Sequence, residues 1–510
     1  MAQRRQLTLQ PSWLATAWVV AALVLPISAV LSMFWQASAE PMPWRWIGNI
    51  IQFTLLQASL STLGSVLLGI VIGRTLARRS FIGRNWLIAW LDACFVMPGL
   101  LIVLAILLTW SPTGAVGQFL DWKFYGLPAI LLAHWFFETP LIARVVMQQM
   151  QRIPEAHIKQ AQQLGLTDWQ MWRLLDWPAI RAAIFPVAGL VFLICMTSFP
   201  VVVSLGGGPG STTLEIAIYQ ALHYEFDFYL ATWLAVIQLA IGVLLALLIL
   251  RHLLDSWGAG PINVQRSRPE LTSTRYFDGL VILVCLAYWL APILGLLVKA
   301  GWQPLLDAMS SAKLWQATGQ TLMIATASAM LGVMLAIGLQ AGRGRFAMFV
   351  GYTVMLVPSM MLATGAFIIL WRYGDALWQR LAAIALLNAL MIVPFAIKLL
   401  RPAKNAAQAR YGRQMTMLGL SQWQRWRWIY WPKMATAIAG ALGLAFMLAA
   451  GDLGAALMLS SHDLNTLPLR LYRLIGARQL EQALWVGAWL VFIGVMIQRL
   501  LAWLARRYHA

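Results

Sequence analysis

The chain has 510 residues, of which 61% are hydrophobic and only 11% charged. Soluble domains carry about 25% charged residues, so this composition excludes a soluble globular protein and indicates a polytopic membrane protein. The formal net charge of +19 gives no reason to expect a nucleic-acid partner, because membrane proteins concentrate Lys and Arg in their cytoplasmic segments.

Twelve hydrophobic stretches are long enough to cross the bilayer, for which a helix needs about 20 residues. Their centres are Val24, Leu63, Leu100, Leu132, Leu193, Leu239, Cys285, Met330, Leu362, Ala389, Leu448 and Val491. The first stretch is too long for a signal peptide and lacks a small-residue cleavage site, so we predict that it spans the membrane. With Arg4 and Arg5 in the cytoplasm, most basic residues also fall there, which predicts that both termini are cytoplasmic.

One segment of the sequence occurs twice. LGLTDWQMWRLLDWP (residues 164–178) returns as LGLSQWQRWRWIYWP (residues 418–432), at a constant offset of 254 residues. Pro140 and Pro394 match at the same offset. Six predicted spans separate equivalent points, and six is even, so the two halves share one orientation in the membrane.

The repeat predicts three parts of the chain. A first half covers residues 1–254 with its core at about 50–252, and a second half covers residues 276–510 with its core at about 316–500. Between them, residues 255–275 are rich in Gly, Pro and Arg and are typical of a cytoplasmic linker. The expected fold class is an all-α membrane protein with about 12 transmembrane helices in two parallel six-helix halves.

We call residues 152–178 the first repeat segment and residues 401–432 the second repeat segment. Gly165 and Gly419 suit the left-handed position that ends a helix. The next helix has the pattern of a capping box in both copies: Thr167 with Gln170, and Ser421 with Gln424. A proline is expected to limit that helix at its far end in both copies: Pro178 and Pro432.

The short helix after each glycine is rich in aromatic residues. Its tryptophans recur at three-residue spacing, so they share one helix face: Trp169, Trp172, Trp423 and Trp426. Two interpretations stay open. The helix lies at the headgroup level with its tryptophans as anchors, or it docks on a cytoplasmic partner that has two equivalent sockets.

The two segments resemble the EAA loop of type I ABC importer permeases, in which Glu-Ala-Ala precedes a glycine and an Ile-x-Leu-Pro motif follows. The spacing from glycine to proline, thirteen residues, is the same in both copies. Two such loops in one chain resemble the fused double permeases of thiamine and ferric-iron uptake. Residues 198–222 look like the thiamine-type members, and residues 449–459 look like the second halves of the iron-type members.

The resemblance implies that the repeat segments are coupling helices for an ATP-binding-cassette ATPase dimer in the cytoplasm. It also implies an extracytoplasmic solute-binding protein, a bacterial inner-membrane location within membrane lipid, and import of a small polar or cationic solute. ATP and Mg²⁺ would bind the partner ATPase, and no cofactor would bind this chain. Lys159 and Arg413 stand where the family has glutamate, which reverses the charge at that expected contact.

Catalytic motifs are missing from the sequence. No G-x-x-x-x-G-K-[ST] motif is present, so the chain is not expected to hydrolyse ATP itself. GGGPGST (residues 206–212) lacks the lysine and is interpreted as a turn before a short outer helix. The three cysteines lie in apolar stretches without metal-ligand spacing, which predicts buried thiols and no metal site. A membrane-embedded enzyme is therefore disfavoured.

Acidic residues inside spans cost roughly 3 kcal/mol near the bilayer centre and are candidate functional residues. Glu138 and Asp452 are the candidates for the substrate path, and Asp92 lies nearer the end of its span. For each of them, a buried hydrogen bond to a neighbouring helix is the alternative.

A major-facilitator-like secondary transporter, which also has twelve spans in two parallel halves, is the main rival to the permease. Its usual signature between spans two and three contains an acidic residue. Residues 73–84 of this chain, GRTLARRSFIGR, contain none.

Overall fold

The computed structural model describes residues 11–35, 42–256, 275–298, 309–341, 345–374 and 376–507, and these ranges are helical with no β-strand among them. The predicted linker lies almost wholly outside them. The arginines at positions 4 and 5 also lie outside the described residues.

The first half of the described chain forms eleven helices. They are α1 (Pro11–Ser32), α2 (Trp44–Arg78), α3 (Arg84–Val96), α4 (Gly99–Trp110), α5 (Leu127–Met150), α6 (Glu155–Gln163), α7 (Asp168–Met171), α8 (Trp177–Met196), α9 (Phe199–Leu205), α10 (Leu214–His223) and α11 (Phe228–Ser256).

The second half of the described chain forms ten helices. They are α12 (Arg275–Val298), α13 (Ala312–Ala341), α14 (Arg345–Thr353), α15 (Ser359–Tyr373), α16 (Leu377–Met417), α17 (Gln422–Arg425), α18 (Trp431–Ala450), α19 (Gly454–Met458), α20 (Leu467–Gly476) and α21 (Leu480–Arg507).

Ten helices of the described residues are long and apolar enough to span a membrane, or eleven if the bent pair α3–α4 counts as one span. Ten or eleven of the twelve predicted spans therefore meet this criterion among the described residues, and the all-helical membrane fold is confirmed. The stretch around Leu362 is the 15-residue helix α15, and the stretch around Leu100 is bent by more than 40°. Pro98 and Pro358 directly precede α4 and α15, where a proline cannot continue the preceding helix because it has no N–H.

The described chain forms two compact units whose boundaries differ from those of the sequence repeat. The first-half unit contains residues 41–217 and 240–302, and the second-half unit contains residues 1–40, 218–239 and 303–510. Helix α1 packs against α13 and α15 within the second-half unit, and α12 packs against α4 and α2 within the first-half unit. The first helix of each half thus belongs to the unit built by the other half.

Helix α2 packs closely on α5, and the equivalent α13 packs on α16. A Cβ atom on Gly69 would lie 2.6 Å from Ile142, and one on Gly332 would lie 2.7 Å from Ile392. Small residues let membrane helices approach each other at close range, so these glycines are required for the same contact in each half.

A second repeated contact holds the short helices α10 and α20. The backbone N–H of Leu214 donates to Thr54 Oγ1 at 3.1 Å, and the backbone N–H of Leu467 donates to Thr321 Oγ1 at 2.8 Å. Both donors lie at a helix N-terminus, where the backbone N–H groups have no partner within the helix. This shared contact supports the two equivalent halves predicted from the sequence, and α10 is the short helix expected after residues 206–212.

Candidate functional site: the two repeat segments

Both repeat segments turn the same corner at their glycine. Gly165 has φ +64° and Gly419 has φ +60°, in the left-handed region. In the first copy, the N–H of Gly165 bonds to the carbonyl of Gln162 at 3.0 Å and that of Leu166 to the carbonyl of Ala161 at 3.1 Å. This is the Schellman arrangement, which satisfies the last carbonyls of a helix.

The second copy has the same two backbone hydrogen bonds. The N–H of Gly419 bonds to the carbonyl of Thr416 at 3.1 Å, and that of Leu420 bonds to the carbonyl of Met415 at 3.1 Å. The glycine corner predicted from the sequence is therefore confirmed in both segments.

A capping box follows each corner, as predicted. The backbone N–H of Thr167 donates to Gln170 Oε1 at 2.8 Å, and the backbone N–H of Gln170 donates to Thr167 Oγ1 at 3.4 Å. Ser421 and Gln424 form the same pair of bonds at 2.8 and 3.3 Å. Each box satisfies two N–H groups that have no partner within the helix.

The prediction that Pro178 and Pro432 end the short helix is wrong. Each proline lies within the first two residues of a long helix, α8 or α18, that continues into the membrane span. A wide π turn precedes it, at Trp172–Asp176 or Trp426–Tyr430. In such a turn the N–H groups reach back five residues instead of four, which lets a helix continue past a residue that would otherwise disrupt it.

The helix before the corner differs between the copies. In the first segment α6 is a separate nine-residue helix that begins after Pro154. In the second segment the corner ends α16, a 41-residue helix that runs unbroken through Pro394 and Pro402. The equivalence of the two segments is therefore limited to the corner, the cap and the helix that follows.

The tryptophans divide into an exposed pair and a half-buried pair. Trp169 is 68% exposed and Trp423 is 70% exposed, directly after the cap of each copy. Trp172 is half-buried with the guanidinium of Arg74 at 5.3 Å from its ring, and Trp426 lies 6.1 Å from the ring of Tyr430. The exposed pair is thus available for a partner, whereas the inner pair holds the segment in place.

An ion pair that the sequence analysis missed fixes the first repeat segment. Asp176, at the end of the π turn, is buried and pairs with Arg78 at the end of α2. Arg74, one turn earlier on α2, approaches the same carboxylate oxygen at 3.6 Å. Beneath the corner, Ile158 and Met171 pack in a small apolar core.

The second repeat segment is held by neutral acceptors instead. Tyr430 occupies the position equivalent to Asp176 and its hydroxyl bonds to the Gln408 amide oxygen. The Lys404 ammonium bonds to the carbonyl of Gln340, and the Gln422 amide bonds to the carbonyl of Ala341 at 3.1 Å. Both carbonyls lie at the end of α13.

Lys159 and Arg413, which stand where the resemblance implies a glutamate, are exposed. Lys159 pairs with Glu155 at 3.1 Å, one helical turn earlier, so an acidic side chain is present in the first segment but is displaced by four residues. Arg413 is exposed as well, and Ala409 stands at the position equivalent to Glu155. The charge reversal is therefore partly offset in the first copy, while the second copy has no acidic residue there.

Glu138 is buried within the first-half unit. It lies on α5 with 4% of its surface exposed, and its Oε2 atom has no hydrogen-bond partner among the described residues. One turn earlier on the same helix, His134 Nδ1 lies 2.8 Å from Ser61 Oγ of α2. Gln57, one turn from Ser61, donates to the carbonyl of Cys195 at 2.9 Å. Glu138 thus belongs to a polar cluster between α2, α5 and α8.

Asp452 lies in the second-half unit, in the turn before α19. Asn388 and the backbone N–H groups of residues 454–456 lie near its carboxylate, and its Oδ2 atom has no hydrogen-bond partner among the described residues. Asp92 is half exposed and pairs with Arg144 at 3.7 Å, so it has an ionic partner within the first-half unit.

The three cysteines, Cys94, Cys195 and Cys285, are buried, as the sequence predicts. Over the described residues, no group of three or more His, Cys, Asp or Glu side chains could hold a metal ion.

Ten or eleven apolar spans among the described residues, together with two capped corner segments at equivalent positions of the sequence repeat, define a membrane permease of the type I ABC importer class. The chain belongs to this family. Residues 65–257 match the model of the binding-protein-dependent transport system inner membrane component.

Similar proteins cover nearly the whole chain. The chain is 33% identical over 503 residues to the thiamine transport system permease protein ThiP of Salmonella typhimurium, with 94% of both chains covered. It is 30% identical over 505 residues to ThiP of Haemophilus influenzae, again with 94% of both covered. ThiP of Brucella melitensis is 35% identical over 486 residues, covering 91% of this chain and 89% of its own.

These similarities establish the chain as the permease component of an inner-membrane importer. It is a transport component, and the major-facilitator alternative has no support.

Proposed function

We propose that this chain is the permease of a thiamine importer. The observation that carries the proposal is the similarity to thiamine permeases along 94% of the chain. Thiamine is a cation with aromatic rings, so it matches the small polar or cationic solute expected from the sequence. An ATPase dimer and a solute-binding protein complete the importer, and both termini of the chain face the cytoplasm.

The repeat segments transmit movement from the ATPase to the spans. ATP and Mg²⁺ bind the ATPase dimer, which supplies the free energy by hydrolysis. The corner at Gly165 and Gly419 presents the exposed rings of Trp169 and Trp423 to the ATPase. Because the helix after each corner continues through a π turn into α8 or α18, a displacement of the corner moves the span directly.

Glu138 and Asp452 favour a cationic solute along the substrate path. A carboxylate buried in the membrane is costly unless a charge or hydrogen bond compensates it. Glu138 has an oxygen without a partner among the described residues, so a cation in the path gains a strong electrostatic contact there. Asp452 Oδ2 likewise has no partner among the described residues, so we expect effects of similar size from Glu138 and Asp452.

The test is uptake of labelled thiamine by cells that lack their own thiamine importer and express the chain with its ATPase and binding protein. We expect accumulation that excess unlabelled thiamine abolishes and that ferric iron or sulfate leaves unchanged. Uptake that responds to ferric iron or sulfate and not to thiamine would overturn the solute assignment. Transport by the chain alone, without ATP, would overturn the proposed ATPase partner.

The substrate path is tested with Glu138→Gln and Asp452→Asn. Loss of a charged hydrogen-bond acceptor corresponds to about tenfold weaker uptake at low solute concentration. Asp92→Asn is the matched control, because Asp92 is half exposed and ion-paired. Normal uptake by both path variants would contradict the proposed roles.

A further inference from the structure

The two repeat segments differ greatly in charge, although their backbones turn the same corner. We compare two windows that match at the offset of 254, residues 150–179 and residues 404–433. The first window has three basic residues and three acidic ones, and the second has six basic residues and no acidic one. The six are Lys404, Arg410, Arg413, Arg425, Arg427 and Lys433.

Two of these cations share one aromatic ring. The guanidinium of Arg410 lies 5.5 Å from the ring centre of Tyr411, and the ammonium of Lys433 lies 5.9 Å from the same centre. Both side chains are exposed, and neither pairs with a carboxylate among the described residues. We call Arg410, Tyr411 and Lys433 the basic cluster.

The basic cluster lies where a membrane span begins. Lys433 is the third residue of α18, and Met434, which follows it, is buried as the apolar part of the helix starts. The neighbouring tryptophans Trp428 and Trp431 are 61% and 42% exposed. Exposed tryptophans at a span end are typical of the membrane–water interface, so the cluster lies at the level of the lipid headgroups.

The cluster is separated from the corner that is proposed to meet the ATPase. Lys433 follows Trp423 by ten residues, which corresponds to about 15 Å along a helix. Contact with the ATPase at the corner therefore leaves the basic cluster uncovered at the other end of the segment.

Binding to two identical sites on the ATPase does not explain why the second repeat segment is more basic than the first. This step rests on the proposed ATPase dimer, whose two identical sockets would receive both segments. In the first segment the positions equivalent to Arg410, Tyr411 and Lys433 are Ala156, His157 and Ala179. A single socket surface cannot be complementary both to alanines and to cations, so the cluster fits a different, anionic partner.

We propose that the basic cluster binds the headgroups of anionic phospholipids in the cytoplasmic leaflet. Arg410 and Lys433 contact the phosphates, Tyr411 separates the two cations, and Trp428 and Trp431 insert at the boundary of the acyl chains. Clusters of Lys and Arg next to a span attract anionic lipids with about 1 kcal/mol per residue. The lipid fixes the second repeat segment at the membrane surface, as Asp176 and Arg78 fix the first segment to α2.

The test uses the full chain in nanodiscs that contain phosphatidylglycerol and phosphatidylcholine in equal amounts. Native mass spectrometry measures how many molecules of each lipid stay bound. We expect a preference for phosphatidylglycerol that decreases with salt. The variant Arg410→Ala/Lys433→Ala carries the residues of the first segment, and its preference should fall roughly fivefold for each charge removed.

Two control variants separate the cluster from general charge effects. Arg152→Ala/Arg173→Ala removes two exposed cations from the first segment and should leave the lipid preference unchanged. Arg410→Lys/Lys433→Arg keeps both charges and should retain the preference, which tests the cluster even if the alanine variant folds poorly.

An unchanged preference in Arg410→Ala/Lys433→Ala would overturn the proposal. The same holds if this variant keeps its lipids and loses the ATPase in co-purification, because the cluster would then belong to the ATPase contact. Neither result depends on which solute is transported.

Discussion

Arg78 at the end of α2 and Asp176 at the end of the first π turn form a buried ion pair. This pair joins the first repeat segment to a membrane span that lies about 100 residues away in the sequence. Arg74 reinforces it, with its Nε 3.6 Å from Asp176 Oδ2 and its guanidinium over the ring of Trp172. The segment and α2 are therefore expected to move together if the proposed ATPase partner acts on the corner.

Removing one partner of this pair should weaken both the fold and the coupling. Asp176→Asn leaves two arginines without their carboxylate, and breaking a buried pair in this way costs about 3 kcal/mol. We expect a lower unfolding midpoint in detergent and a loss of thiamine uptake. The exchange Arg78→Asp/Asp176→Arg, which restores opposite charges, should recover part of both. If Asp176→Asn unfolds and transports as the wild type does, the pair is not a coupling link.

The corner glycines can be tested without a steric complication. A Cβ atom on Gly165 or Gly419 would meet nothing within 4 Å, so a substitution costs only the left-handed backbone. Gly165→Ala and Gly419→Ala should each destabilise the corner by about 1 kcal/mol. Asparagine accepts this conformation more readily, so Gly165→Asn should lose less.

Co-purification of the ATPase with these glycine variants measures whether the corner geometry matters for assembly. We expect less ATPase with alanine than with asparagine at either position. Equal recovery with all the variants would show that the corner does not form the contact.

The capping boxes predict a local effect of similar size. Thr167→Ala and Ser421→Ala remove the side chain that accepts from the N–H of Gln170 or Gln424, which typically costs about 1 kcal/mol of helix stability. Hydrogen exchange at the backbone amides of residues 168–172 and 422–426 should become faster. Thr167→Ser and Ser421→Thr keep the acceptor and should exchange as the wild type does.

Local features of the repeat segments could be read from the sequence because each depends on a few neighbouring residues. A glycine after a run of helix formers requires a left-handed corner, and a Thr or Ser three residues before Gln defines a cap. The corners were confirmed at Gly165 and Gly419, and the caps at Thr167 and Ser421. The π turns were missed because a proline after a short helix usually signals its end, and only the preceding turn shows that it continues.

Long-range features had weaker signals in the sequence. The pairing of Asp176 with Arg78 depends on how α2 packs against the segment. The sequence signal for it is that the first copy has an aspartate where the second copy has Tyr430. Nothing in the sequence pattern places α1 in the second-half unit or α12 in the first-half unit, since both are apolar on most faces. The breaks before Pro98 and Pro358 had a visible signal, the proline itself.

His223, at the end of α10, is expected to make the stability of the second-half unit depend on pH. Its ring stacks on Tyr219 with 4.9 Å between the ring centres, and its Nε2 lies 3.3 Å from Ser460 Oγ. Burial lowers the pKa of His223, and the nearby guanidinium of Arg380 lowers it further. The folded chain therefore binds a proton at this imidazole less readily than the unfolded chain does.

The sign of the effect follows from this difference in proton binding. Above the ordinary histidine pKa of about 6.5, the imidazole is neutral in both states and stability is at its full value. As the pH falls below that value, the unfolded state takes up a proton first, so the free energy of unfolding decreases until the folded state is protonated too. His223→Gln removes this contribution, because glutamine does not titrate.

The measurement is the unfolding midpoint in detergent at pH 7.5 and at pH 5. We expect the wild type to lose more stability between these values than His223→Gln does. His157→Gln replaces an exposed histidine of α6 and should leave the pH dependence of the wild type intact. The rings of Tyr224 and Phe367 also contact His223. If the unfolding midpoint of His223→Gln depends on pH as strongly as that of the wild type, His223 is not the source of the pH dependence.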